Sequence, residues 1–279
     1  MYEAHWGLKQ RPFENNTAGD FYFRSETHRA AALKVRYAID GRLGAALLCG
    51  EVGVGKTFLS HMVAAKAADD GILSLHLTYP RLTPNELIGW VYAELRGHGP
   101  IDTIPGTFDG TLRALEARLK QLTKEGQRPV LFVDDAHLVN DPELLQAWHL
   151  LLNFQQQEDI DFTLVLVGEP SLLPQIRRCR PLAERIGVTA LVRPLDQAET
   201  AEYIQHRLET AGRTEDDDLP LVFSDDAIMT IFERSGGIPR RINRLCDLAL
   251  LVGYAERLTT LTGTEIEGVA QELTLGIAA

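Results

Sequence analysis

The sequence predicts an open parallel α/β sheet domain followed by a small all-helical domain. Three observations carry that prediction. Four strand-length apolar runs, Ala45–Cys49, Ile72–Leu77, Val130–Val133 and Phe162–Val167, alternate with longer segments of helical period, and Val188–Val192 is a weaker fifth run. Runs apolar on both faces suit a parallel sheet covered by helices on each side. Beyond Pro194 the character changes, and no good strand follows Asp196. A glycine-rich loop joins the first run to a helix, which is a phosphate-binding arrangement when it follows a buried strand.

The elements follow in order. A helix is expected over Glu26–Asp40, preceded by an extended lead-in. Between the strands, helices are expected over Thr57–Ala68, Pro84–Arg96, Phe108–Leu122 and Pro142–Gln157. The C-terminal part reads as Gln197–Ala211, Asp225–Ser235, Pro239–Glu256 and Gly263–Leu273, with Ser224 and Thr262 as N-caps. Arg213–Pro220 is acidic and polar and reads as a surface loop. The expected division is 1–44 lead-in and helix, 45–194 α/β domain, and 195–279 helical domain.

Composition bounds the function. With 45% hydrophobic residues and 24% charged ones the chain can bury a core, and global disorder is excluded. A net charge of −11 argues against a uniformly basic surface, so nucleic-acid binding needs a local patch or an oligomer that concentrates one. Cys49, Cys179 and Cys246 show no metal-ligand or CxxC spacing and read as reduced thiols. The N-terminus lacks the apolar core of a signal peptide, and no stretch reaches the ~18 apolar residues of a membrane span. The expectation is a cytoplasmic protein without direct membrane insertion, peripheral to the inner membrane only through a partner.

Gly50-Glu51-Val52-Gly53-Val54-Gly55-Lys56-Thr57 satisfies GxxxxGK[ST] at every fixed position, and Phe58 continues into the helix. Such a string arises by chance in roughly one chain of this length in a hundred, before its strand and helix context is counted. The glycines let backbone N–H groups curl round phosphates, Lys56 reaches the β- and γ-phosphates of ATP, and the Thr57 hydroxyl ligates Mg²⁺. Val130-Leu131-Phe132-Val133-Asp134-Asp135 is a buried strand ending in two carboxylates. Asp134 suits Mg²⁺ through water. Asp135 either orients the attacking water or is a solvated or capping carboxylate. His137 reads as structural or partner-facing rather than catalytic.

Glu169, after the run Phe162–Val167, is either a sensor of the γ-phosphate or part of a plain Gly-Glu-Pro turn. Arg177, Arg178, Arg180 and Arg185 follow it. One of them, with Arg185 favoured because it precedes a strand, is a candidate arginine finger for a neighbouring subunit. The other readings are a solvated face or a contact to DNA phosphate. Arg240, at the start of a helix after Gly236-Gly237-Ile238-Pro239, sits against the helix dipole unless it meets an anion. It is a candidate ligand of the nucleotide phosphates, or else a surface arginine.

With these residues in view the chain resembles AAA+ ATPases, and more closely the ExeA-type general secretion pathway protein A family, over nearly its whole length. The resemblance rests on His5-Trp6-Gly7-Leu8 with Arg11-Pro12-Phe13, on Ser25-Glu26-Thr27-His28, on Arg36-Tyr37-Ala38-Ile39 and on Gly168-Glu169-Pro170-Ser171-Leu172. Further on it rests on Pro194-Leu195, Arg207-Leu208 and Ala211-Gly212. Gly237-Ile238-Pro239-Arg240 with Ile242-Asn243 and Leu245-Cys246-Asp247 is its most specific part. It implies a three-layer AAA+ domain with a helical lid, Arg240 as sensor 2, Pro12 and Phe13 near the adenine, and a ring or filament of identical subunits. Two departures stand out. The family usually has Asp-Glu where this chain has Asp134-Asp135, which bears on catalytic rate because aspartate reaches about 1.5 Å less far. Secretion members often continue into a membrane span and a peptidoglycan-binding domain, which this chain is expected to lack.

Three functions follow as expectations. The first is an oligomeric ATPase assembling a secretion or pilus-type envelope machine, with a protein client. The second is an ATP-dependent DNA-binding regulator of transposition that recruits a transposase. The third is a nucleotide-gated scaffold with little turnover.

Overall fold

The structure, a computed structural model, describes residues 1–14, 19–97, 107–139, 141–213 and 220–275. Most of the acidic segment expected as a loop before Pro220 lies outside these residues.

Among the described residues five strands form one sheet: β1 (Ala45–Gly50), β2 (Ser74–Leu77), β3 (Val130–Val133), β4 (Thr163–Gly168) and β5 (Ile186–Val192). Their order is β2-β3-β4-β1-β5 and every pairing is parallel. The three central strands are buried at every residue, as the continuous apolar runs require. The two edge strands alternate instead: β2 reads half-buried then buried, and β5 exposes five of its seven residues in part or in full. That alternation is why β5 looks weak in the sequence.

Helices α1 (Glu26–Asp40), α2 (Lys56–Asp69), α3 (Pro84–Arg96), α4 (Phe108–Lys124) and α5 (Pro142–Asn153) connect these strands or precede them. Thr83 and Glu86 close a reciprocal capping box at the start of α3, and Thr107 caps α4. Helices α1 and α2 cover one face of the sheet, and α3, α4 and α5 the other, giving three layers. On the second face Leu47, Leu77, Leu131, Leu164 and Leu166 pack with Leu87, Leu115 and Trp148. Two short helices, α6 (Leu172–Arg178) and α7 (Arg180–Ala183), occupy the stretch read from sequence only as an arginine cluster.

The remaining helices, α8 (Gln197–Thr210), α9 (Asp225–Ser235), α10 (Pro239–Glu256) and α11 (Gly263–Leu275), form a second hydrophobic core. Asp196 and Glu199 form a capping box on α8. Ser224 is the N-cap residue of α9, as expected, but its hydroxyl makes no bond to the helix backbone and donates instead to Asp226 Oδ1 (2.6 Å) and the Leu261 carbonyl (3.0 Å). It thereby ties α9 to the segment before α11. Thr262 is held by the Glu265 carboxylate, which accepts from both its N–H and its hydroxyl.

The chain separates into two compact units, and the division differs from the expected 1–44, 45–194 and 195–279. One unit is 26–52 with 56–192; the other joins 1–25 and 53–55 to 193–279. So α1 belongs to the sheet unit, while the lead-in belongs to the helical one. The reason is burial: Tyr2, Trp6, Leu8, Phe13 and Phe21 are all core residues among α8, α9 and α10. Trp6 Nε1–H donates to the Leu250 carbonyl (3.0 Å). The buried Arg207 guanidinium donates to the carbonyls of Pro12 and Glu14 and lies 4.5 Å from the Phe21 ring centre. Opening motif and α8 motif, far apart in sequence, are therefore two sides of one packing unit.

Gly237 shows how tightly that unit is built. Its φ is +69°, and a Cβ there would fall 1.9 Å from the Leu195 carbonyl oxygen. Leu195 N–H donates to the Gly237 carbonyl in turn (2.9 Å). No side chain fits that position.

Candidate nucleotide site

Parallel strands deliver their C-terminal ends to one edge of a sheet, where α/β proteins bind ligands. Here β1, β4 and β3 lie side by side, with Leu48 opposite Val167 and Leu166 opposite Val133. Their following residues thus converge: the glycine loop after β1, Glu169 after β4, Asp134 and Asp135 after β3.

The loop begins at the end of β1 and leads into α2, whose first residue is Lys56. Gly53 and Gly55 adopt φ of +86° and +94°, open only to glycine without cost. Gly53–Gly55 cluster with the helical unit, and there the Arg240 N–H donates to the Gly53 carbonyl (3.2 Å). A Cβ on Gly53 would lie 2.9 Å from that of Arg240. The glycine is required by its neighbour as well as by its own torsion.

Lys56 is buried, and its ammonium donates to the Glu51 carbonyl (2.8 Å). Burial lowers its pKa from the ordinary lysine value, opposed first by Glu169 and then by Asp134 and Asp135. One ammonium thus faces three carboxylates. A phosphate chain entering there is repelled unless a cation masks them. The Thr57 hydroxyl donates to Asp134 Oδ2 (2.7 Å), so the two groups assigned to Mg²⁺ from sequence touch each other. Both are hard oxygen donors, and Mg²⁺ typically takes one or two carboxylates and completes its shell with water and phosphate. These residues fit the ion. No cluster of three or more His, Cys, Asp or Glu able to cage a metal occurs among the described residues.

Asp135 has its backbone in the left-handed region (φ 48°, ψ 32°) and an exposed carboxylate. His137 lies beside it, with Nε2 3.0 Å from Glu169 Oε1 and Nδ1 3.9 Å from Asp135 Oδ1. Read from sequence as structural or partner-facing, His137 stands between two candidate catalytic carboxylates. Its spacing after the acidic pair puts it in the turn beyond β3 but does not say which way its ring points.

Other expected site residues lie elsewhere. Arg185 precedes β5 and donates to Asn153 Oδ1 (3.2 Å). It lines a cavity with Gly44 and Asp161, which lead into β1 and β4, so it stands at the sheet edge opposite the glycine loop. It does not join its own chain's site. Phe13 is 2% exposed and packs edge-on against Phe223, at 6.1 Å between ring centres. That leaves its ring no free face for a base, and Pro12, expected with it near the adenine, is buried with its carbonyl engaged by Arg207. Glu51 and Val52 are exposed, Val54 is buried and Phe58 is half-buried.

Residues 40–176 match the AAA domain family model. The sheet unit has the parallel-sheet P-loop architecture of an AAA+ core. The AAA+ core is followed by extra C-terminal helices that form a lid-like region. The whole chain is 30% identical, over 98% of its length, to general secretion pathway protein A of Aeromonas hydrophila. It spans 48% of that protein's length. Among solved structures it is similar to the Aeropyrum pernix ORC2 protein in ADPNP–ADP complexes, with a TM-score of 0.70 and 16% identity. That match covers 95% of this chain and 72% of the other. The Aeropyrum pernix ORC1 protein in complex with DNA gives a TM-score of 0.66 at 16% identity, covering 95% of this chain and 69% of the other. At such identities the likeness is one of fold. No helix among the described residues is long and apolar enough to cross a membrane.

Proposed function

We propose that the chain binds Mg-ATP at the AAA+ loop, hydrolyses it, and uses the nucleotide state to control association with DNA. The observation that supports nucleotide binding best is the Thr57–Asp134 contact at 2.7 Å beside a buried Lys56 that faces three carboxylates. Thr57 and Asp134 hold Mg²⁺, which supplies charge neutralisation at the β- and γ-phosphates. Lys56 contacts the same phosphates, Asp135 orients water for in-line attack, and Arg240 reports the nucleotide to the helical unit. Arg185, placed away from its own loop, serves the site of a neighbouring subunit in a ring or filament.

The DNA reading draws on fold neighbours whose names place them at DNA, the Aeropyrum ORC1 complex among them. A second reading, an assembly ATPase for a secretion or pilus-type machine, is favoured by the 30% identity to general secretion pathway protein A. ATP hydrolysis at low salt, with and without double-stranded DNA and with Lys56→Ala as the blank, separates them. DNA stimulation that falls steeply with salt supports the first reading. Turnover indifferent to DNA supports the second. No turnover above the blank would sink the hydrolytic reading and leave a nucleotide-gated scaffold.

A further inference from the structure

The turn after β3 is over-determined. Asp135 N–H donates to Asp134 Oδ1 (2.9 Å), Leu138 N–H donates to the Asp135 carbonyl (2.8 Å), and Gln175 Nε2–H donates from α6 to the His137 carbonyl (2.9 Å). Gly168, the last residue of β4, presses on the same place: a Cβ there would lie 3.1 Å from the His137 backbone nitrogen. Non-glycine residues adopt the left-handed conformation of Asp135 sparingly, and such positions persist where the surroundings hold them.

The His137 side chain is 11% exposed and spans the gap between the ends of β3 and β4. Its Nε2 bonds Glu169, while Nδ1 is buried without a hydrogen-bond partner and faces Asp135 Oδ1 at 3.9 Å. A bond to an ionised Glu169 places the ring proton on Nε2, so Nδ1 turns a lone pair toward Asp135. Two acceptors at that distance do not bond. The ring therefore fences the Asp135 carboxylate instead of capturing it, and leaves it 56% exposed for water.

The geometry points to His137 as a positioning residue that couples Glu169 to Asp135, so that a movement at the end of β4 resets the carboxylate that orients water. This rests on the nucleotide reading of the site. It goes beyond that reading by joining two groups that sequence treats as independent.

A double-mutant cycle tests it, with His137→Ala and Glu169→Ala made singly and together. The cycle is read in ATP turnover and, independently of turnover, in the ratio of ATP to ADP affinity with Mg²⁺ present. Each single change should lower kcat roughly ten- to a hundredfold with little change in KM, because misplacing a catalytic group by about 1 Å costs on that order. The double variant should fall no further than the worse single one. His137→Gln, whose amide nitrogen falls near Nε2, should recover to within about threefold of wild type. His137→Asn, whose amide falls near Nδ1, should not. Wild-type turnover in His137→Ala, losses that multiply, or equal failure of Gln and Asn would overturn the coupling. If the wild type turns over no faster than Lys56→Ala, the hydrolytic function falls instead. The coupling is then read from the affinity ratio, where a non-additive collapse supports it and additivity overturns it.

Discussion

Lys56 does not stand among neutral partners. With Glu169, Asp134 and Asp135 all acting on it, the pocket repels polyanions until a divalent ion arrives. ATP affinity should therefore drop at least about tenfold when Mg²⁺ is removed with EDTA, and Asp134→Asn should shrink that dependence. Titration calorimetry with and without the ion decides it; equal affinity in both would refute the charge argument. Asp135 is the other residue with a direct test. Replacing it with glutamate adds the missing methylene, and turnover should rise several-fold if short reach limits the natural protein. These chemistry-bearing residues were legible in the sequence because loop and strand end carry fixed spacings. His137 was not, since nothing in a one-dimensional pattern says which way a three-residue turn aims its second side chain.

The elements divide by how far their partners lie in sequence. β1, β3 and β4 announce themselves as unbroken apolar runs because both their faces are covered, whereas β5, an edge strand with an exposed face, reads weakly. Residues 1–25 read as a lead-in because their apolar contacts are with residues some two hundred positions away, which leaves no local period. Arg207 is the clasp of that arrangement. Arg207→Met should destabilise the helical unit by about 3 kcal/mol, since the buried Pro12 carbonyl and the part-buried Glu14 carbonyl lose their donor. Chemical denaturation followed by Trp6 fluorescence would show it, and an unchanged midpoint would mean the clasp is ornamental. β2 and β3 carry a second testable contact. The His76 ring stacks on Phe132 at 4.8 Å and on His61 at 4.5 Å, and burial, with His61 beside it, lowers its pKa to about 4, with Asp134 opposing. The unfolded chain then binds more protons between about pH 6.5 and 4, so the stability carried by neutral His76 is present above that window and lost as pH falls through it. The gap in thermal stability between wild type and His76→Phe should therefore move in favour of the variant on going from pH 7 to pH 5. A gap independent of pH would count against the stacked, neutral ring.

For the whole molecule, the position of Arg185 at the edge away from its own loop predicts that one chain completes another. Lys56→Ala lacks its phosphate contact and Arg185→Ala lacks its finger, so each alone should be inactive. Mixed together they should recover part of the wild-type rate, because one hybrid interface in the assembly is intact. Mixtures as inactive as their components would remove Arg185 from the site. The discontinuous unit has one further consequence, in time rather than space. Trp6 and Phe13 leave the ribosome well before the helices that bury them, which begin only after residue 193. At 5–20 residues per second they wait roughly ten to forty seconds, with the sheet unit emerging and folding in between. Over that interval the nascent chain displays an aromatic-rich segment still without the helices that bury it, which is when a chaperone has most to offer it.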